Sequence, residues 1–345
     1  MSSVMSHCPM GILAKSPSVM KISAIIPTYN NAEYIEEAIN SILAQSHPVD
    51  EIIVIDDGSS DNTETLTRAL KQKTDKLSYT KQGNQGPSAA RNHGIELANG
   101  DWVAFLDADD RWPKDKIALQ IAALQREPSL QLIAGDMAET DQRGNVQVES
   151  VLAKHQLLEL FQRLAGRPLH NALTALVNKN FIPTGTVLVK RTVLNQAGGF
   201  NPDIRFGEDL ELWAKIACHH PITCLPERLM YRRQHGANAT QNTGPMLEDL
   251  VKVMGSISHY GAEQLKQQGT KPSSLVASAL TALGYWHFSQ SNYRQARKVF
   301  ASSLKEQISK RALLYAAVCL LPNTIIKRLK ALKQKSTKLL PRPTI

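Results

Sequence analysis

The stretch Val103-Ala104-Phe105-Leu106-Asp107-Ala108-Asp109-Asp110 decides how this chain is read: a run of apolar residues ends abruptly in three carboxylates. A short apolar run bounded by polar residues predicts a buried strand that delivers acids to the end of a sheet. If Asp107 and Asp109 stay extended, their alternate positions put both side chains on one face, where like charges repel unless a cation sits between them. An oxygen-seeking divalent ion, Mg²⁺ or Mn²⁺, is the natural occupant. The competing reading of the same residues is a polar turn in which Asp110 caps a helix that starts near Pro113.

Upstream, the chain repeats one unit. Residues 22–26 are a β-branched run stopped by Pro27, and Asn30 is a candidate cap for the helix marked by Tyr34, Ile35, Ala38, Ile39 and Ile42. Residues 52–55 predict a second strand, Asp57-Gly58-Ser59 a turn, and Ser60 or Asp61 a cap for a helix through Leu70. A third strand over 77–80 leads through a glycine-containing loop to a helix carrying Ala89, Arg91, Asn92 and Ile95. Strands alternating with helices predict a parallel α/β sheet, whose ligands gather beyond the carboxyl ends of the strands. Pro27-Thr28-Tyr29, Asp56-Asp57 and Asp107-Asp109 all fall at such ends. Neither Gly-x-Gly-x-x-Gly nor Gly-x-x-x-x-Gly-Lys-Ser/Thr occurs, so the usual dinucleotide and P-loop phosphate cradles are absent. A diphosphate bound here needs a metal.

Taken in order, five stretches resemble the signatures of family 2 glycosyltransferases of the GT-A fold: residues 20–30, 51–61, Gly86-Pro87-Ser88-Ala89-Ala90-Arg91-Asn92-His93-Gly94, Leu106-Asp107-Ala108-Asp109-Asp110, and Gly207-Glu208-Asp209-Leu210-Glu211-Leu212-Trp213. The resemblance runs from about Lys21 to Arg233. It implies an inverting enzyme that moves a sugar from a nucleotide-diphosphate donor, a UDP-sugar by expectation, to a hydroxyl of a saccharide or lipid-linked acceptor in cell-surface polysaccharide or glycolipid synthesis. It further implies that Pro27, Thr28, Tyr29 and one or both of Asp56 and Asp57 line the base-and-ribose pocket. Asp107 falls between ribose and metal, and Asp109 is the metal ligand. Asp209 is the general base, with Glu208 supporting it. Arg91 is expected to pair with phosphate, the alternative being an outward arginine on a helix. His235 lies where some members complete the metal or diphosphate site, the alternative being a plain surface histidine. The acids at 208, 209 and 211 also suit the first turn of a helix over 208–217 by complementing its dipole.

Length and composition frame this reading. At 345 residues, 42% hydrophobic and 21% charged, the chain is of globular type with room for one sizeable domain and an appendage. Its organisation is expected to be a frayed extension over 1–20 with no export signal, a catalytic domain over 21–240, a helical region over 241–322 and a basic tail over 323–345. Four cysteines without a Cys-x-x-Cys pair suit a reducing cytoplasm. Cys218-His219-His220 with Cys224 straddles a predicted helix end and the next strand, which favours buried structural cysteines over a zinc site. Residues 280–300 resemble one tetratricopeptide-like helix pair with no second copy, expected to pack on the catalytic domain.

Net charge is +9, of which seven positive charges lie after Leu321 with no acid. Such a distribution argues against a nucleic-acid partner and for an anionic surface. The apolar run 312–321 is too short to span a bilayer and reads as an interfacial anchor on the inner membrane face; alternatively Leu313, Leu314 and Val318 pack on the helix pair. Two other classes compete with the enzyme reading. One is a sugar nucleotidyltransferase, which usually carries a glycine- and basic-rich loop where this chain has Pro27-Thr28-Tyr29-Asn30. The other is a non-catalytic helical scaffold with a vestigial sugar-nucleotide site, against which the intact Asp107, Asp109 and Asp209 argue.

Overall fold

The computed structural model describes residues 20–235, 243–322 and 324–326; the expected N-terminal extension and nearly all of the basic tail lie outside them. Eight strands form one sheet: β1 Ile22–Thr28, β2 Glu51–Asp56, β3 Leu77–Lys81, β4 Trp102–Phe105, β5 Leu132–Thr140, β6 Val146–Val148, β7 Leu188–Lys190 and β8 Ile222–Arg233. Their order is β3-β2-β1-β4-β7-β5-β6, with β8 on the other edge of β5. β1, β2, β3 and β4 pair in parallel, as do β5 and β8. β7 is antiparallel to both β4 and β5, which gives the mostly parallel sheet flanked by helices that the GT-A resemblance implies.

The helices of the sheet-bearing part are α1 Ile35–Leu43, α2 Thr63–Lys71, α3 Pro87–Leu97, α4 Lys116–Arg126, α5 Val151–Lys154, α6 Leu158–Leu164, α7 Ala172–Asn178, α8 Arg191–Gln196 and α9 Glu208–Ala217. Because successive strand residues point to opposite faces, β1 divides its side chains between two cores. Ala24 and Ile26 pack with α1 and α4 on one side, and Ile25 joins Phe105, Trp213 and the residues of α3 and α9 on the other. Burial on both faces explains why these strands read as continuous apolar runs. α3 lies very close to β1: a Cβ on Gly94 would come 2.4 Å from Ile25 Cγ2, which excludes any larger residue without repacking.

Three local expectations are corrected. β4 stops at Phe105, and the Asp110 amide donates to the Asp107 carbonyl at 3.0 Å, so the acids stand on a tight turn and not on an extended strand. Asp110 caps nothing: α4 starts at Lys116, while the buried Asp110 carboxylate accepts from the Arg233 amide at 2.8 Å. Asn30 is not the cap of α1; it adopts φ 53°, and its side-chain oxygen accepts from the Ser60 amide, tying the loop after β1 to the loop after β2.

Beyond the strands come α10 Thr243–Tyr260, α11 Ala262–Gln267, α12 Pro272–Ser289, α13 Tyr293–Glu306 and α14 Lys310–Val318. Val253, Met254 and Ile257 of α10 join the core that holds Trp213, so the helical region is continuous with the sheet-bearing body. α12 and α13 form the expected pair around Phe288, Tyr293, Ala296 and Phe300. Gly284 allows their approach, since a Cβ there would meet the Phe300 ring at 2.8 Å. Cys218 and Cys224 are buried free thiols.

Candidate active site

Parallel pairing brings the carboxyl ends of β1, β2 and β4 to one edge, with Thr28 beside Asp56 and Ile25 beside Phe105 in register. The loops that leave these ends wall a cleft of about 1560 Å³. Every candidate donor-binding, metal and catalytic residue named from the sequence except Asp56 lines it.

The Asp56-Asp57 pair divides its labour. Asp56 is fully buried, accepting from the Ser59 amide at 2.7 Å and the Tyr79 hydroxyl at 2.6 Å, so it holds the turn after β2. Asp57 faces the cleft while its oxygens accept from Gln82 Nε2 and from the amides of Gln85 and Gly86. These bonds order the loop that enters α3, where Gly86 takes φ 89° and Pro87 stands at the first helical position. A carboxylate offers about four acceptor positions, so Asp57 retains one beyond these bonds. Pro27 and Tyr29 lie on the same wall, Tyr29 at its rim, half exposed. The Thr28 hydroxyl is buried there without a hydrogen-bond partner among the described residues.

Burial corrects the outward-arginine alternative for Arg91. It is buried, and its two terminal nitrogens donate to Asp107 Oδ1 at 2.8 Å and Glu208 Oε1 at 2.9 Å. The guanidinium bridges two carboxylates over the Phe200 ring, lines the cleft, and keeps a buried Nε without a partner among the described residues. It ties the Asp107 turn to the first turn of α9.

The end of β8 clamps the same turn from the other side. The Arg233 amide binds Asp110, its Nε donates to the Asp109 carbonyl at 3.2 Å, and its terminal nitrogens reach Glu37 and the Gln142 carbonyl. Two residues on, His235 Nε2 lies 2.9 Å from Asp109 Oδ2 and its ring stacks on Tyr34. Burial, reinforced by Asp109 and Asp107, pushes the Asp110 carboxyl well above the usual range.

α9 begins after Gly207, at φ 85°, and points Glu208 and Asp209 at the cleft. Burial and the adjacent Asp209 push the Glu208 carboxyl up to about 7 against the pull of Arg91. Asp209 is raised too, by burial. Asn180 Nδ2 lies 3.4 Å from both Asp209 oxygens; it follows α7 in a loop with no motif, and nothing in the sequence marks it.

No group of three His, Cys, Asp or Glu stands together as a metal cage among the described residues. What the turn does offer is the second oxygen of Asp107 and of Asp109, unpartnered among the described residues, and His235 beside Asp109. This set fits a hard divalent cation that takes its remaining ligands from a diphosphate and water.

Comparison with solved structures defines the class of fold. The crystal structure of S. aureus TarS 1-349 in complex with UDP-GlcNAc superposes with a TM-score of 0.60 at 19% identity, covering 87% of this chain and 84% of that one. The fold is thus the GT-A nucleotide-sugar transferase fold with a helical C-terminal region. Residues 23–187 match the family model "Glycosyl transferase family 2". An uncharacterized glycosyltransferase of Rickettsia typhi, RT0329, is 31% identical over 231 residues, covering 66% of this chain and 68% of its own length. The chain belongs to glycosyltransferase family 2. The putative teichuronic acid biosynthesis glycosyltransferase TuaG of Bacillus subtilis is 41% identical over 101 residues, 29% of this chain and 40% of TuaG. Against two longer rickettsial relatives the chain spans about a third of their length.

Proposed function

We propose that this protein is an inverting glycosyltransferase that moves a sugar from a nucleotide-diphosphate donor, a UDP-sugar, to a hydroxyl acceptor in cell-surface polysaccharide synthesis. The observation that carries the reading is the convergence, on one cleft, of the Asp107-Asp109 turn with the Glu208-Asp209 turn of a helix encoded far downstream. The TuaG and TarS likenesses support the polymer-related acceptor and the uridine nucleotide.

In this reading Tyr29 stacks on the base, and Asp57 accepts from its N–H with the acceptor position left free by the loop amides. Asp107 and Asp109, with His235, would hold a divalent ion on the diphosphate. When bound, that ion neutralises charge on the leaving group. Asp209 takes the proton of the acceptor hydroxyl as its oxygen attacks the anomeric carbon opposite the leaving diphosphate. Burial favours this role by raising its carboxyl toward neutrality, and Asn180 fixes its orientation. One displacement inverts the anomeric configuration and needs no carboxylate nucleophile. Glu208 does not touch the acceptor; through Arg91 it couples the base-bearing helix to the donor-side turn.

A donor panel of UDP-, GDP- and dTDP-sugars, with Mn²⁺ or Mg²⁺, tests the proposal. Release of nucleoside diphosphate from a UDP-sugar, stimulated by saccharide acceptor and giving an inverted product by NMR, is the expected result. A retained configuration, or pyrophosphate as the released product, overturns it.

A further inference from the structure

The C-terminal helices carry a surface that glycosyl transfer does not use. Eleven large apolar side chains are exposed among the described residues, and six of them lie between Ile308 and Ile325: Ile308, Leu313, Leu314, Leu320, Leu321 and Ile325. The packing needs of α14 are met by a different stripe. Ala312 and Cys319 are buried, and the Tyr315 ring lies against Tyr285, Phe288 and Phe300. Of the three residues read as possible packing residues, Val318 packs against the helix pair, while Leu313 and Leu314 do not; they are 49% and 61% exposed on the outer side of α14. Clustered exposed leucines of this kind mark an interaction surface.

Charge identifies the partner. From Arg294 to the end of the sequence there are thirteen Lys and Arg residues against a single acid, Glu306, which exceeds the net charge of the whole chain, +9. The rest of the chain is accordingly net negative. Arg294, Arg297, Lys298, Lys305, Lys310 and Arg311, the cations of this stretch among the described residues, are all exposed. A nucleic acid would use the cations but not the leucines, and a second copy of the chain would bring thirteen like charges together. An anionic bilayer satisfies both features, taking leucines at the acyl boundary and lysines at the headgroups. No described helix is long and apolar enough to cross a membrane.

We propose that the outer face of α14, with the exposed Leu320, Leu321 and Ile325 that follow it, docks this protein on an anionic lipid surface, with the leucines inserted and the helix in the plane of the interface. The proposal is independent of the transferase reading, since binding is measured without turnover.

The test is co-sedimentation of the full-length protein with phosphatidylcholine vesicles, with and without phosphatidylglycerol, at low and high salt. Two variants accompany it: L313E/L314E, and K327Q/K330Q/K333Q. Wild type should sediment with the anionic vesicles and be released by high salt. L313E/L314E should bind at least about tenfold more weakly, as expected from removing two inserted apolar side chains, with an unchanged thermal melt because both positions are exposed. The lysine variant should weaken binding and reduce its salt dependence. Wild-type protein that stays in the supernatant, equal binding to neutral vesicles, or variants that sediment like wild type overturn the proposal. So does light scattering that shows a wild-type dimer converted to a monomer by L313E/L314E without any vesicle binding, which assigns the face to a second copy.

Discussion

Asp107 and Glu208 are held on the two terminal nitrogens of one guanidinium, that of Arg91, at 2.8 and 2.9 Å. The two acids come from different segments, the turn after β4 and the first turn of α9, so this arginine sets the spacing between the turn proposed to face the diphosphate and the helix that carries the proposed base. A residue so placed acts on stability and on geometry together.

Arg91→Ala leaves two carboxylates facing each other without their cation. Removing one partner of a buried ion pair costs about 3–5 kcal/mol, and the lower end applies because the Asp107 side chain is 40% exposed. We expect a loss of about 3 kcal/mol in urea unfolding. Arg91→Lys should recover only part of it, since a single ammonium cannot reproduce the planar fork that reaches both acids. Wild-type stability in Arg91→Ala would show that the bridge is incidental.

The Glu208 carboxyl is raised from its ordinary 4.5 to about 7. Native protein then keeps a proton that the unfolded chain has released, so stability is fullest below the unfolded value and declines as pH rises through about 7. Asp110 and Asp209 are shifted in the same direction and add to the decline. Glu208→Gln should flatten the slope in urea-unfolding midpoints taken from about pH 5 to about pH 8. An identical slope in the two proteins would falsify the protonation assigned to this residue.

Asp109→Ala removes one proposed metal oxygen and one of the contacts of His235. Its carboxylate is partly exposed, so the fold should tolerate the change, while the affinity for a UDP-sugar with Mn²⁺ falls at least about tenfold, as for loss of a metal ligand or its partner. Calorimetry with and without the ion reads this directly. Equal affinity in variant and wild type, with Mn²⁺ present, sinks the assignment.

Asp209→Asn keeps the shape of the first turn of α9 but cannot take a proton. Transfer should drop at least about a hundredfold with the donor KM little changed, which separates a base from a binding residue. A parallel rise in KM with kcat intact would place Asp209 in donor binding instead.

Some of this was legible in the residues alone. Alternating strands and helices, acids at strand ends, and the helix starting at Glu208 all follow from periodicity and turn chemistry, which act over a few neighbouring residues. So does the α12–α13 pair, announced by the spacing of Leu283, Phe288, Ala296 and Phe300. What the sequence could not decide depends on contacts between distant segments. Asp56 and Asp57 are adjacent and chemically identical; only the packing of Tyr79 and the loop to Gly86 turns one inward and the other to the cleft. The partner of Arg91, Glu208, lies 117 residues away and becomes visible only when α9 docks against α3. His235 meets Asp109 across 126 residues because Arg233 clamps the acid turn. Leu313 and Leu314 face outward because Tyr315 fills the inner groove of the bundle, a choice set by packing volume that the apolar run itself does not encode. Local chemistry determined which residues could make a site, and the tertiary structure decided which of them share it, since burial and long-range ion pairs exist only in the folded chain.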